Sequence, residues 1–169
     1  NKYLLDVYNP FKVEFLYGKG STLFDKKGND YIDFTSGIGV SCLGHGNKKL
    51  VETISKQAKK FLHLSNIYPI NTQEECAKKV AALSGYKNMQ GFFCNSGAEA
   101  NETAIKFIRK YAKSKGIKKH NIITLENSFH GRTIATLNAT GQKDKQLGFE
   151  PFPNEFIYAK NLEDTKNKI

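Results

Sequence analysis

Residues 92–107 read Phe-Phe-Cys-Asn-Ser-Gly-Ala-Glu-Ala-Asn-Glu-Thr-Ala-Ile-Lys-Phe. A short apolar run meets Asn95-Ser96-Gly97 and turns at once into a helical pattern. The spacing predicts a strand over 90–94, a tight turn, and a helix from about Ala98 to Lys115. Ser96-Gly97-Ala98-Glu99 fits an S-x-x-E capping box, with Ser96 as N-cap and Glu99 at N3. The same helix start leaves backbone N–H groups without intrahelical acceptors at the positive end of the helix dipole, which makes it a seat for an anion. Gly97 and Ala98 would let a phosphate approach the backbone closely. Spacing alone leaves both readings open. A carboxylate and an incoming phosphate would compete for one helix end, so an anion site requires Glu99 to point away from the Gly97 and Ala98 amides.

Outward from this turn, the rest of the chain supplies its context. Residues 13–34 alternate apolar and polar positions, broken by turn-like Gly18-Lys19-Gly20 and 25–30, and read as an antiparallel meander. A glycine-rich connector, "TSGIGVSCLGHGN", follows. Helical spacing covers 47–62, with Leu50, Ile54, Ala58 and Phe61 on one face. Thr72–Leu83 is a second helix, ended by Ser84-Gly85. After the 98–115 helix, whose apolar face is Ala104, Ile105, Ile108, Tyr111 and Ala112, Gly116 is the stop. Residues 121–126 read as a buried strand, 128–133 as its following loop, 133–139 as a short helix and 155–159 as a further strand. Asn161 caps a final helix. The fold class is therefore α/β: an N-terminal antiparallel meander, then the first part of a mostly parallel, doubly covered sheet. The expected division is 1–62 and 63–169.

Composition narrows the function classes. The chain has 169 residues, enough to bury a core, with 39% hydrophobic and 25% charged residues, which reads as globular. No apolar run approaches a membrane span, and the start lacks the layout of a signal peptide. The final helix pattern and the uncovered strands lead us to expect part of a longer protein. Cys42, Cys76 and Cys94 have no C-x-x-C spacing, which argues against a disulfide framework or a metal site and for a reducing, cytoplasmic setting. The net charge of +10 comes from 26 basic residues, of which only Arg109 and Arg132 are arginine. Lysines dispersed along helix faces make a solvated surface, and no helix-turn-helix, zinc-finger or RNP-type motif accompanies them. "GKGST" lacks the upstream glycine of a P-loop and "GIGVSCLGHG" is not G-x-G-x-x-G, so both are read as turn glycines. Arg109, set among lysines, reads as solvated.

The loop "NSFHGRT" also follows a strand, and so belongs at the same carboxyl edge of the sheet, where open α/β sheets bind ligands. Phe129 offers either a hydrophobic plug or a flat surface for an aromatic ligand. His130 offers either a structural hydrogen bond or a ligand contact. Arg132 supplies a fixed fork for a carboxylate in a chain that otherwise uses lysine. Phosphate, ring and carboxylate groups together suit a phosphorylated aromatic cofactor with an amino-acid substrate.

"NSGAEANETAIKFIRKYA" followed by "SFHGRT" resembles the class III, fold-type I, pyridoxal-phosphate-dependent aminotransferases. The resemblance is nearest to the acetylornithine aminotransferase branch, and it extends back through "GKGSTLFDKKGNDYIDFTSGIGVSCLGHGNKKLVETI". It implies that 1–62 is an N-terminal arm and small-domain segment and 63–169 the first part of a large cofactor-binding domain. It implies that Ser96, Gly97 and Ala98 hold the phosphate of pyridoxal 5'-phosphate. Phe129 would stack on the pyridine ring with His130 beside it, and Arg132 would grip the substrate carboxylate. Tyr8 and Ile38 would line the substrate entrance; ornithine aminotransferases carry a tyrosine where this chain has Ile38. The Schiff-base lysine and the aspartate of the pyridine nitrogen lie downstream in that family, so no catalytic residue is assigned here and the chain alone is expected to be inactive. The activity implied is transamination of N2-acetyl-L-ornithine with 2-oxoglutarate in arginine biosynthesis, by a cytoplasmic homodimer without nucleic-acid or membrane partners. Sister enzymes acting on ornithine, succinyl-diaminopimelate or 4-aminobutyrate are the alternative. A second is a non-catalytic basic α/β binding module, which predicts salt-dependent nucleic-acid binding and no coloured cofactor.

Overall fold

The computed structural model describes residues 3–118 and 120–169. It divides into two compact units, Asn1–Asn71 and Thr72–Ile169. The first holds the antiparallel sheet β1 (Phe15–Lys19), β2 (Thr22–Asp25) and β3 (Asp30–Ile32), in that order. The expected meander is thus present. Gly20, at φ 59°, turns the chain between β1 and β2, and its backbone pairs with His45 in both directions at 2.9 and 2.8 Å. The strands are short and carry aromatic cross-strand pairs: Tyr17 stacks on Phe24 at 4.6 Å and Phe15 meets Tyr31 edge-on at 5.3 Å. The glycine-rich connector forms a distorted turn of helix, α1 (Ser36–Gly39), in which Ser36, Gly37, Ile38 and Gly39 all have positive φ. α2 (Lys48–Ala58) is capped by Asn47, whose side chain accepts from the Leu50 N–H at 3.1 Å.

α3 (Asn71–Ser84) opens the second unit's series and ends at Gly85, at φ 73°. α4 (Gly97–Ser114) follows, then β4 (Ile122–Leu125), α5 (Ile134–Ala139), α6 (Lys143–Gln146), β5 (Phe156–Ala159) and α7 (Leu162–Lys168). β4 and β5 pair in parallel, Ile122 opposite Phe156 through Leu125 opposite Ala159. Between them run α5 and α6, the crossover a parallel pair requires. β4's end also pairs with Gly141, whose carbonyl accepts from the Asn127 N–H at 2.8 Å. A Cβ at Gly141 would lie 2.3 Å from the Leu125 carbonyl oxygen, so only glycine fits there. Asn161 caps α7 as expected, accepting from the Asp164 N–H at 2.8 Å. No helix among the described residues is long and apolar enough to cross a membrane.

Three expectations are corrected. Residues 90–94 form no strand; a strand exists only through a ladder partner, and none among the described residues pairs with them. The core is thin: among the described residues the buried hydrophobic ones are Ile105, Ala112, Leu137, Ala139 and Ala159. The apolar faces of α2 and α3 are exposed, Ile54 and Leu83 among them. Amphipathic periodicity forecasts which face seeks cover, whereas burial needs an opposing surface. Finally, Arg109 is not simply solvated. Its Nε donates to both carboxylate oxygens of Glu155, at 3.1 and 2.9 Å, and Nη2 adds a third contact. This fork ties α4 to the residue before β5, 46 positions away.

Candidate active site

The turn before α4 forms because Ser96 is extended, with φ −153° and ψ 162°, and its hydroxyl accepts from the Glu99 N–H at 3.2 Å. Such a cap is worth about 1 kcal/mol. The reciprocal half of the predicted capping box is displaced by one residue. The Glu99 carboxylate takes the backbone N–H and side-chain amide of Asn95 rather than the Ser96 N–H. Glu99 therefore lies back over the turn. The first-turn amides of Gly97 and Ala98 have no acceptor among the described residues, and nothing lies within 4 Å of the position a Cβ on Gly97 would take. The Ser96 hydroxyl accepts from Glu99 and keeps its own hydrogen to donate. Among the described residues this end of α4 thus keeps two backbone N–H donors and a hydroxyl donor unpaired, the kind of donor set an anion takes.

The loop after β4 runs beside this turn. Gly131 has φ 138°, and a Cβ there would stand 2.8 Å from the Ala98 Cβ and 2.5 Å from Thr136 Oγ1. Only glycine permits this approach of loop to helix. Asn101 Nδ2 donates to the His130 carbonyl at 2.7 Å, and the Thr133 hydroxyl donates to the Glu102 carboxylate. On the other side, the His130 N–H donates to Thr140 Oγ1 at 3.0 Å, and Thr140 is fully buried. Thr133 caps α5 in a full capping box with Thr136. The loop backbone is therefore held at both ends and from both sides.

The side chains it presents are free by contrast. Phe129 is 60% exposed, and the Arg132 guanidinium, also exposed, stands 5.8 Å from its ring centroid, within cation–π range. His130 is half-buried, with Ser128 Oγ 3.3 Å from Nδ1. Burial holds its ring below the ordinary histidine range, opposed by a hydrogen bond to the Ala139 backbone, so the ring favours its neutral form. Ser96, Gly97, Ala98, Phe129, His130 and Arg132 thus all belong to the two adjoining segments of one unit. Tyr8 and Ile38 belong to the other unit. Tyr8 is 81% exposed there, and Ile38 is 96% exposed in the left-handed region that β-branched residues avoid. Sequence reading missed Asn101, Glu102, Thr136 and Thr140, which fasten the loop. The available signal was their helical spacing, with Asn101 and Glu102 three and four positions after Ala98.

Residues 6–168 match the family described as aminotransferase class-III. The acetylornithine aminotransferase of Wolinella succinogenes is 52% identical over 164 residues, covering 96% of this chain and 42% of that protein. That of Methanocaldococcus jannaschii is 49% identical over 158 residues, covering 93% and 39%. The ornithine aminotransferase structure from Toxoplasma gondii superimposes with a TM-score of 0.89 at 26% identity, covering 99% of this chain and 40% of that one. Another structure of it, crystallized in the presence of oxidized glutathione and with PLP at partial occupancy in the active site, gives 0.86 at 28%, covering 95% and 38%. The chain belongs to the class III aminotransferases. It spans about two fifths of the length of the curated relatives it matches.

Proposed function

We propose that this chain carries the phosphate, ring and carboxylate contacts of a pyridoxal-phosphate-dependent aminotransferase that acts on N2-acetyl-L-ornithine. The amino group would pass to 2-oxoglutarate, giving N-acetyl-L-glutamate 5-semialdehyde and L-glutamate, a step of arginine biosynthesis. The observation that carries the reading is the open N-terminus of α4 set against a loop that presents Phe129 and Arg132. When bound, the cofactor supplies an electron sink at the carbon that gives up its amino group. The Gly97 and Ala98 N–H groups and the Ser96 hydroxyl bind its phosphate. Phe129 would offer its exposed face to the cofactor ring, with His130, held in its neutral form, beside it. Arg132 fixes the substrate carboxylate through two parallel hydrogen bonds. Tyr8 and Ile38 line the approach to the site. We place residues 1–62 in an arm and small-domain segment and 63–169 in the first part of the cofactor domain of a cytoplasmic homodimer. Relatives named for the acetylornithine reaction, at about half identity, support this donor over ornithine, succinyl-diaminopimelate and 4-aminobutyrate.

The test uses the complete protein. A yellow product whose absorbance is lost on borohydride reduction, with the cofactor fixed on a lysine, supports the reading; a colourless protein that pyridoxal phosphate cannot reconstitute overturns it. Steady-state rates with each of the four donors identify the substrate. Arg132→Ala is expected to raise KM for both carboxylate substrates by about 100-fold, the usual cost of truncating one partner of a desolvated charge pair. An unchanged KM removes Arg132 from carboxylate binding.

A further inference from the structure

We infer that Asn101 is a positioning residue: through its hydrogen bond to the His130 carbonyl it sets the distance between the phosphate turn and the loop bearing Phe129 and Arg132. The inference rests on the cofactor-site reading above and deepens it. Ala98, Asn101 and Glu102 lie at i, i+3 and i+4 on α4, and so form one stripe on the helix. Each meets a different point of the loop. Ala98 abuts Gly131, Asn101 bonds the His130 carbonyl, and Glu102 accepts from the Thr133 hydroxyl. The stripe begins at the residue whose N–H faces the proposed phosphate.

The chemistry of the loop explains why a donor is needed there. Gly131, in a backbone region open only to glycine, leaves the peptide between His130 and Gly131 with few steric restraints of its own. Packing against Ala98 limits how near the loop can come but does not orient that peptide. The Asn101 amide does, through the His130 carbonyl, while Thr140 Oγ1 holds the preceding peptide at the His130 N–H. Thr140 is itself anchored, donating to the Thr136 carbonyl at 2.9 Å. The peptide hydrogen bonds of His130 are thus satisfied, while the neighbouring Phe129 and Arg132 side chains stay exposed. A binding loop needs this combination of a fixed backbone and free side chains.

The experiment titrates the complete apoprotein with pyridoxal 5'-phosphate, following protein fluorescence and the induced visible circular dichroism. Asn101→Ala is expected to weaken binding about 10-fold, because a carbonyl acceptor loses its donor, and to reduce the dichroic band. Asn101→Asp, of the same size but without a donor when ionised, should do no better. In a Phe129→Ala background the Asn101→Ala change should add less than about twofold, since coupled residues are not additive. Wild-type affinity and dichroism in folded Asn101→Ala, or full additivity in the double variant, overturns the inference. If Phe129→Ala and Ser96→Ala also leave affinity unchanged, the cofactor-site reading falls with it. If those two weaken binding and Asn101→Ala does not, only the positioning role falls. Should Asn101→Ala fail to fold, Glu102 decides. Glu102→Ala is expected to weaken binding about 3-fold while Glu102→Gln, which keeps an acceptor for Thr133, does not; equal behaviour of the two overturns the inference.

Discussion

The two units are held together by different means. In Asn1–Asn71 the side-chain ties are short in sequence. Asp25 accepts from the Lys27 and Asn29 N–H groups, the Asn29 side chain and the Tyr31 hydroxyl, all within six residues. Asp33 accepts from the N–H and hydroxyl of Thr35 and from the Ser36 N–H, and pairs with His45 at 2.8 Å. In Thr72–Ile169 side-chain ties span 29, 31 and 46 positions, at Asn101–His130, Glu102–Thr133 and Arg109–Glu155, and the first two hold the loop of the candidate site. Carboxylates that close their own turns make a frame the chain can build locally. Side chains that join distant segments make a site only once the unit has folded. The candidate site lies where the long ties concentrate.

Four measurements on the complete protein can break or sharpen this contrast. The largest effect is expected from Gly131→Ala. Its Cβ would overlap Ala98 and Thr136 in a backbone region that alanine rarely adopts, and the cost should be about 3–4 kcal/mol in urea unfolding. A loss under 1 kcal/mol would mean the loop is not wedged against α4. Gly18→Ala comes next, at about 2 kcal/mol. There a Cβ would stand 2.6 Å from the His45 ring and 2.7 Å from the His45 Cβ, so His45 must shift as a whole, against its bond to Asp33. Hydrogen exchange should localise that loss to β1–β3, and equal loss at β4 and β5 would break the contrast. Arg109→Ala should cost about 0.5–1 kcal/mol, since the pair is half-exposed on the arginine side. The last is a titration without effect at neutral pH. Hydrogen bonds from Thr35, then His45 and the Ser36 N–H, hold the Asp33 carboxyl at about 2, below its ordinary 3.8. A depressed carboxyl stabilises the fold above its unfolded pKa, so this contribution is full above about pH 4 and is lost as pH falls through about 2. Chemical-shift titration of Asp33 reporting an ordinary value would remove the Asp33 cluster from the account of that unit.

Much of this was legible without coordinates. The meander, the capped start of α4, the strand at 122–125, the Thr133-led helix and the Asn161 cap all rest on periodicity and capping within a few residues. Ser96, Phe129 and Arg132 could be marked because an apolar run turning into a helix and an arginine in a lysine-rich chain are local signals. The strand expected at 90–94 and the Arg109–Glu155 fork were not legible. Whether a partner meets these residues depends on segments distant along the chain, and no property of 90–94 or of Arg109 names one.

The sequence by itself determined where helices start, which turns require glycine, and that the start of α4 is either a plain cap or a seat for an anion. These follow from backbone sterics and from hydrogen bonds closed within one turn. The tertiary structure alone decided that Asn101 and Glu102 grip the loop after β4, that Glu99 folds back onto Asn95, and that the amphipathic faces of α2 and α3 stay uncovered. Those outcomes depend on which distant surfaces meet, and that is set by the packing of a whole unit.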